Sequence, residues 1–310
     1  MSFRHSAAYG TSFKRKRFFK NALVGAVIIG FLGLFSLLYM QLSGRNRNER
    51  RQLREFFDSG DFEAAYKQSS VMLVETPLDS FLLNIHGFSA YQLAIAQTNN
   101  FDTLSYVDNC IWSLRKAMLS RENTMDGRVF YVLGKAYFHK GPGYADLAVK
   151  YLENSRSVFF KAEDIPEYLG LAYAAVRDFR SSVEAFSMAL TANAAPSDLL
   201  LLAIARSYLA LEETEPAKAY LLRCIEISKD FKTAAAARLL FAETLLKAGD
   251  VREAETEYLK VIEENSENAE AHYQLGELYA MEGDLTRARA EWRRTIRIDP
   301  AHLMARSRLN

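Results

Sequence analysis

The chain has 310 residues, 49% of them apolar, with only six prolines and fifteen glycines, so it carries enough hydrophobic material for a large core or one long stack and suits a mostly helical fold. Its formal net charge of +1 gives no case for a nucleic-acid partner. Cys110 and Cys224 lie far apart and form no CxxC, which excludes a disulfide framework and leaves two thiols expected to be free and buried.

Residues 1–20 contain Arg4, Lys14, Arg15, Lys16, Arg17 and Lys20 and no acid, and no charged residue occurs from Asn21 to Gly44. A helix over Ala22 to Leu42 would be roughly 31 Å long, matching a hydrocarbon core of about 30 Å, so 21–42 reads as a transmembrane anchor. The apolar run is too long for a signal peptide and lacks a small-residue cleavage site, so the anchor is expected to stay attached. Basic residues flank both ends, Arg45, Arg47, Arg50, Arg51 and Arg54 on the far side. The tail is short while the far side begins a folded domain. The expected topology is therefore a cytoplasmic basic tail (1–20) with the remainder outside, periplasmic in a bacterium. Ala22, Ala26, Gly30 and Gly33 share one helical stripe of small-xxx-small spacing, which would let two copies pair as a homo-oligomer.

Beyond the anchor, one pattern recurs. It is clearest from Ala269 to Pro300, where Leu275-Gly276, Tyr279, Ala288, Trp292, Ile296 and Pro300 lie on two short amphipathic helices joined at Gly283-Asp284. Aligned on this copy, repeats begin near Asn46, Ser80, Gly127, Glu163, Asp198, Ala235 and Ala269. The third shows Leu133, Gly134 and Tyr137, then a longer turn at Gly141-Pro142-Gly143. The fourth shows Leu169, Gly170, Tyr173, Phe179, Phe186 and Ala189; the fifth, Ala205, Tyr208, Ala217 and Cys224; the sixth, Ala242, Ala254 and Tyr258. Gly-Asp separates paired helices at Gly60-Asp61, Gly249-Asp250 and Gly283-Asp284, where glycine ends one helix in a left-handed conformation and aspartate caps the next. The second copy departs from the pattern. A helix through Leu83 to Ala96 breaks at Thr98-Asn99-Asn100, and Asp102 is expected to cap a long helix bearing Leu104, Val107, Ile111, Leu114 and Met118.

This pattern resembles the tetratricopeptide repeat (TPR). The resemblance implies an all-α fold, a right-handed α-solenoid of about seven helix hairpins over 43–302, preceded by one transmembrane helix. Residues 303–310 would form a short cap, in which Leu303, Met304 and Leu309 could cover the last hairpin. Its functional surface would be the concave face lined by the first helix of each pair, taking protein partners. The family's lysine and asparagine clamp for a peptide carboxylate is absent: the third copy has Tyr131 and Lys135 there, the fifth Leu202 and Arg206. That face is instead expected to offer an apolar groove of Tyr131, Phe138, Leu171, Leu199, Leu202, Leu209, Leu239 and Leu246, fit for an amphipathic helix or extended apolar segment, or else buried by tight curvature. Near the end, a Glu-rich stretch precedes Arg287, Arg293, Arg294 and Arg297, a candidate charged contact that salt would weaken.

Histidines 5, 86, 139, 272 and 302 fit no metal-ligand spacing, and His272 holds a core position, so no metal, cofactor or catalytic residue is assigned and the chain is read as no enzyme. The reading is a membrane-anchored scaffold or adaptor of an envelope assembly, such as secretion or flagellar machinery. Alternatives are a client-holding chaperone, translocon accessory or import receptor, and a noncatalytic subunit of an enzyme complex.

Overall fold

The computed structural model describes residues 47–119, 126–192 and 195–309. The basic tail, the 21–42 anchor, its small-residue stripe and the topology they imply lie outside the described residues. Among the described residues no helix is long and apolar enough to cross a membrane.

The described chain is helical from end to end. Helix α1 covers 47–58. It is followed by α2 (Phe62–Glu75), α3 (Ser80–Ala96), α4 (Asn100–Ala117), α5 (Gly127–Lys140), α6 (Ala145–Ser157), α7 (Ile165–Ala175) and α8 (Phe179–Ala192). Then come α9 (Asp198–Ala210), α10 (Thr214–Ile227), α11 (Phe231–Ala248), α12 (Val251–Glu264), α13 (Ala269–Met281), α14 (Leu285–Ile298) and a short α15 (Leu303–Leu309). Each helix packs on the one before and the one after it in sequence, and the odd-numbered helices α3, α5, α7, α9 and α11 also touch their odd neighbours. Even-numbered helices approach one another less closely, so the stack curves with the odd helices on the inside. This is a solenoid of hairpins, in which each unit buries its apolar face only against adjacent units.

Within a hairpin, close approach is set by glycine. A Cβ on Gly134 would lie 2.6 Å from Leu152 Cγ, and one on Gly170 only 2.4 Å from the Phe186 ring. At Gly276 it would meet Trp292 at 2.7 Å. Gly87 stands in the same relation to Leu114 at 2.6 Å, so the second hairpin keeps this contact despite its stretched spacing. Its extra length goes into the helices themselves, 17 residues in α3 and 18 in α4. The cap of α4 is Asn99, whose side chain accepts from the Asp102 N–H at 2.8 Å, while Asn99 Nδ2 donates to Asp102. Asp102 thus sits inside the first turn, answering the cap rather than being it.

Five hairpin turns share one geometry: a residue two or three beyond the helix donates its N–H back five residues, as in Asp61 to Phe56, Asp178 to Tyr173, Glu213 to Tyr208, Asp250 to Leu245 and Asp284 to Tyr279. The residue just before takes positive φ. It is glycine at 60, 249 and 283 (82°, 90° and 85°), but Arg177 (64°) and Glu212 (62°) in the fourth and fifth hairpins. Asp61, Asp178 and Asp284 go on to cap the next helix through their side chains, whereas Asp250 makes no such bond. The sixth hairpin starts at Phe231, ahead of the expected Ala235, because Asp230 accepts both the N–H and the hydroxyl of Thr233. In the cap, Ala305 and Leu309 cover the last hairpin, while Leu303 and Met304 face outward.

Candidate functional site

On the inner face, the densest constellation joins α3, α5 and α7 around Lys135. Its ammonium donates to Asp164 Oδ2 at 2.7 Å and to Tyr131 Oη at 3.0 Å, and the Tyr131 hydroxyl donates in turn to Asp164 at 2.7 Å. The rings of Tyr168, Tyr131 and Tyr91 surround the charge, with centroids 4.5, 4.9 and 5.6 Å away. Phe138 packs edge-on to Tyr168, whose Oη lies 3.3 Å from His139 Nε2. Tyr131 and Lys135 meet because they are four residues apart on α5. Asp164 reaches them because the link between α6 and α7 places it at the start of α7 with its carboxylate unused for capping.

The electrostatics follow from this packing. Burial pulls the Lys135 pKa down, but the hydrogen bonds to Asp164 and Tyr131 together more than reverse it, so the amine stays charged. Burial raises the Tyr131 hydroxyl, and burial with the Asp164 charge raises the Glu167 carboxyl. Burial and the Lys135 charge hold His139 below its ordinary value. A protonated lysine tied to a carboxylate is neither a general base nor a nucleophile; it is a rigid joint that presents aromatic edges. The two cysteines are both buried, and burial raises their thiols, Cys224 to about 11, so neither is a ready thiolate. Among the described residues no group of three or more His, Cys, Asp and Glu is placed to hold a metal ion.

The eight residues expected to line one apolar groove are distributed among separate clusters. Tyr131 and Phe138 pack together with Tyr137 and Val132. Leu171 packs on Phe186 and Leu200, and Leu209 on the cluster containing Leu202, which is itself only 5% exposed. Leu239 and Leu246 share the cluster of Ala242 and Leu245. Leu199 alone of the eight is largely exposed, at 63%. Leu202 is buried, and the other six are partly buried. The accessible inner surface is therefore mixed in character, with Leu199 and Arg206 open on α9.

The four expected charged contacts divide in two. Arg287 stacks over Tyr279 at 4.0 Å and pairs with Asp284 at 2.6 Å, and Arg294 pairs with Glu291 at 2.7 Å. Arg293 and Arg297 are exposed and make no ion pair among the described residues, nor does Arg289 of the same Arg-rich stretch. His272 is buried between α13 and α14, its Nδ1 2.6 Å from Glu291 and its Nε2 3.1 Å from the Ser266 carbonyl. Both ring nitrogens face oxygen atoms of the fold, so His272 is a structural brace between the two helices.

Residues 239–302 match a family model described as tetratricopeptide repeat, and residues 200–231 match a second of the same description. Residues 200–231 and 239–302 thus carry tetratricopeptide repeats. Solved TPR structures share its fold. The C-terminal part of a TPR repeat-containing protein from Cytophaga hutchinsonii aligns with TM-score 0.59 and 15% identity, covering 84% of this chain and 99% of that one. Pseudomonas aeruginosa pilF aligns with TM-score 0.53 and 14% identity over 71% and 95% of the two chains. YrrB, described as a TPR protein with an unusual peptide-binding site, aligns with TM-score 0.50 and 22% identity over 63% and 96%. No curated protein matches the chain.

Proposed function

We propose that this TPR chain is an adaptor held at a membrane by residues 21–42, with the inner face of its odd helices receiving a peptide segment of a partner protein in an envelope assembly. The observation that carries the reading is the curved stack itself: successive odd helices line one continuous inner surface, rigid at the Lys135–Asp164 joint and open at Leu199 and Arg206. The peptide-binding site described for the structurally similar YrrB supports the same use of the fold. The uncharged stretch from Asn21 to Gly44 behind a basic tail supports the anchor and a cytoplasmic amino terminus.

Two measurements test it. The full chain should resist carbonate extraction from membranes, and protease added outside should digest the repeats while sparing the tail. Release into the soluble fraction with the first residues intact would end the anchor reading. Crosslinked capture from intact membranes should return a stoichiometric partner set that Leu199→Glu with Arg206→Glu loses. Both positions are exposed or open, so the double variant should keep its helicity; an unchanged partner set would end the inner-face reading.

A further inference from the structure

Helix α1 turns a row of guanidinium groups to one side. Arg47, Arg50, Arg51 and Arg54 follow one another at helical spacing and share one stripe. Three of them, Arg50, Arg51 and Arg54, line an open depression of about 250 Å³ with Phe81, in the first turn of α3; among the described residues no carboxylate lines it. Arg50 and Arg54 lie over the Phe81 ring, 5.5 and 5.3 Å from its centroid. The ring is half-buried and packs on the cluster of Leu53, Leu82 and Leu83, so the floor of the depression is fixed. The nearby acids leave it positive. Arg50 pairs with Asp79, the cap of α3, and Arg51 lies 3.6 Å from Glu55 with both side chains exposed. Arg47 and Arg54 are exposed and make no ion pair among the described residues, not even with Asp58, a turn beyond Arg54.

Forked guanidinium groups held on an aromatic floor suit the oxygens of a phosphate. The neighbouring sequence says which phosphate. Arg50 follows Gly44, the last residue of the uncharged stretch, by six positions, so its Cα lies within about 22 Å of that point whatever path the chain takes. If the intervening residues are helical the separation falls to about 9 Å. A headgroup layer is roughly 5–8 Å deep, and the field of anionic lipids reaches about 8–10 Å beyond it. We propose that the Arg51–Arg54 depression, floored by Phe81, binds the phosphate of an anionic phospholipid headgroup. This rests on the membrane anchor proposed above and adds what one tether does not supply. A single span leaves the stack free to swivel, whereas a headgroup clamped between α1 and α3 fixes how the first hairpin, and with it the inner face, stands against the bilayer.

The test is the full chain in lipid nanodiscs of phosphatidylcholine, alone or partly replaced by phosphatidylglycerol. Incorporation into the phosphatidylcholine discs reads the anchor, and amide hydrogen exchange reads the depression. Phosphatidylglycerol should slow exchange in α1 and at the start of α3 at least about threefold, while α9 to α14 keep their rates and added salt reverses the effect. Arg51→Gln with Arg54→Gln should incorporate equally, keep its circular dichroism and lose that protection. Lys14→Gln with Lys16→Gln and Lys20→Gln, in the tail, should retain it. A chain that stays out of the phosphatidylcholine discs ends the anchor reading and takes this inference with it. One that enters them but exchanges alike in both lipids overturns this inference alone, as does protection that survives the arginine variant. Equal protection by inorganic phosphate in phosphatidylcholine discs would assign the depression to free phosphate and overturn the headgroup. Partner capture lost in the arginine variant, without a lipid effect, would give the depression to a protein and overturn it too.

Discussion

At the scale of single residues, backbone geometry and burial make separable demands. Arg177 and Glu212 hold the left-handed turn position that glycine holds in three other hairpins. Arg177→Gly and Glu212→Gly should each stabilise the chain by about 0.5 kcal/mol, the relief of strain exceeding the added unfolded-state entropy, and Gly283→Ala should cost about 1 kcal/mol; denaturant titration reads both. Equal destabilisation by all three would sink this account. His86 tests burial. It stacks on Tyr66, and its two nitrogens lie 2.7 and 3.0 Å from the Ser113 and Ser70 hydroxyls, satisfying the neutral ring. Burial lowers its pKa to about 4. The unfolded chain therefore binds the proton first as pH falls below about 6.5, and stability declines from there until about pH 4, by up to about 3 kcal/mol in all. Unfolding free energies of wild type and His86→Asn at pH 7 and pH 5 should differ in slope; parallel slopes would refute the assignment. Glycines 134, 170 and 276 were legible because no other residue permits that approach between helices. The turns at 177 and 212 were not, because no glycine announces them.

At the scale of elements, the sequence-visible part is whatever a helix decides alone. Amphipathic spacing and the Gly-Asp pairs delimit the end of α11 and all of α12 to α14, and Leu133, Gly134 and Tyr137 place α5 on its neighbours. The choice between Asn99 and Asp102 as cap was not visible, since both residues take part in one reciprocal pair of hydrogen bonds. Exposure on the inner face was hidden for a different reason: it depends on the next odd helix, which is why Leu202 is buried and Leu199 is not. A charge at 202 would report on folding rather than on binding. The joint between α5 and α7 supplies the element-level prediction. Asp164→Ala leaves the half-buried Lys135 ammonium unpaired among tyrosines and should destabilise by about 2 kcal/mol, and adding Lys135→Met should recover most of it. If the double variant is as unstable as the single one, the cost lies elsewhere.

At the scale of the whole molecule, contacts run almost entirely between sequence neighbours. Stability is then local, a sum of hairpins and seams, so the ends should open before the middle. Ala305→Asp, at a fully buried cap position, should speed amide hydrogen exchange in α13 to α15 while α5 to α9 keep their protection; a uniform acceleration would contradict nearest-neighbour coupling. The same arrangement governs shape. Seams set one after another act like springs in series, each adding its own small yield to the total. A slight rotation at every seam therefore accumulates into a wide swing of one tip against the other, although no apolar contact is broken anywhere. The lysine–carboxylate clasp between α5 and α7 stiffens one seam, so bending is displaced to the segments on either side, and a load bound towards one tip would be felt at the other as a change of pitch.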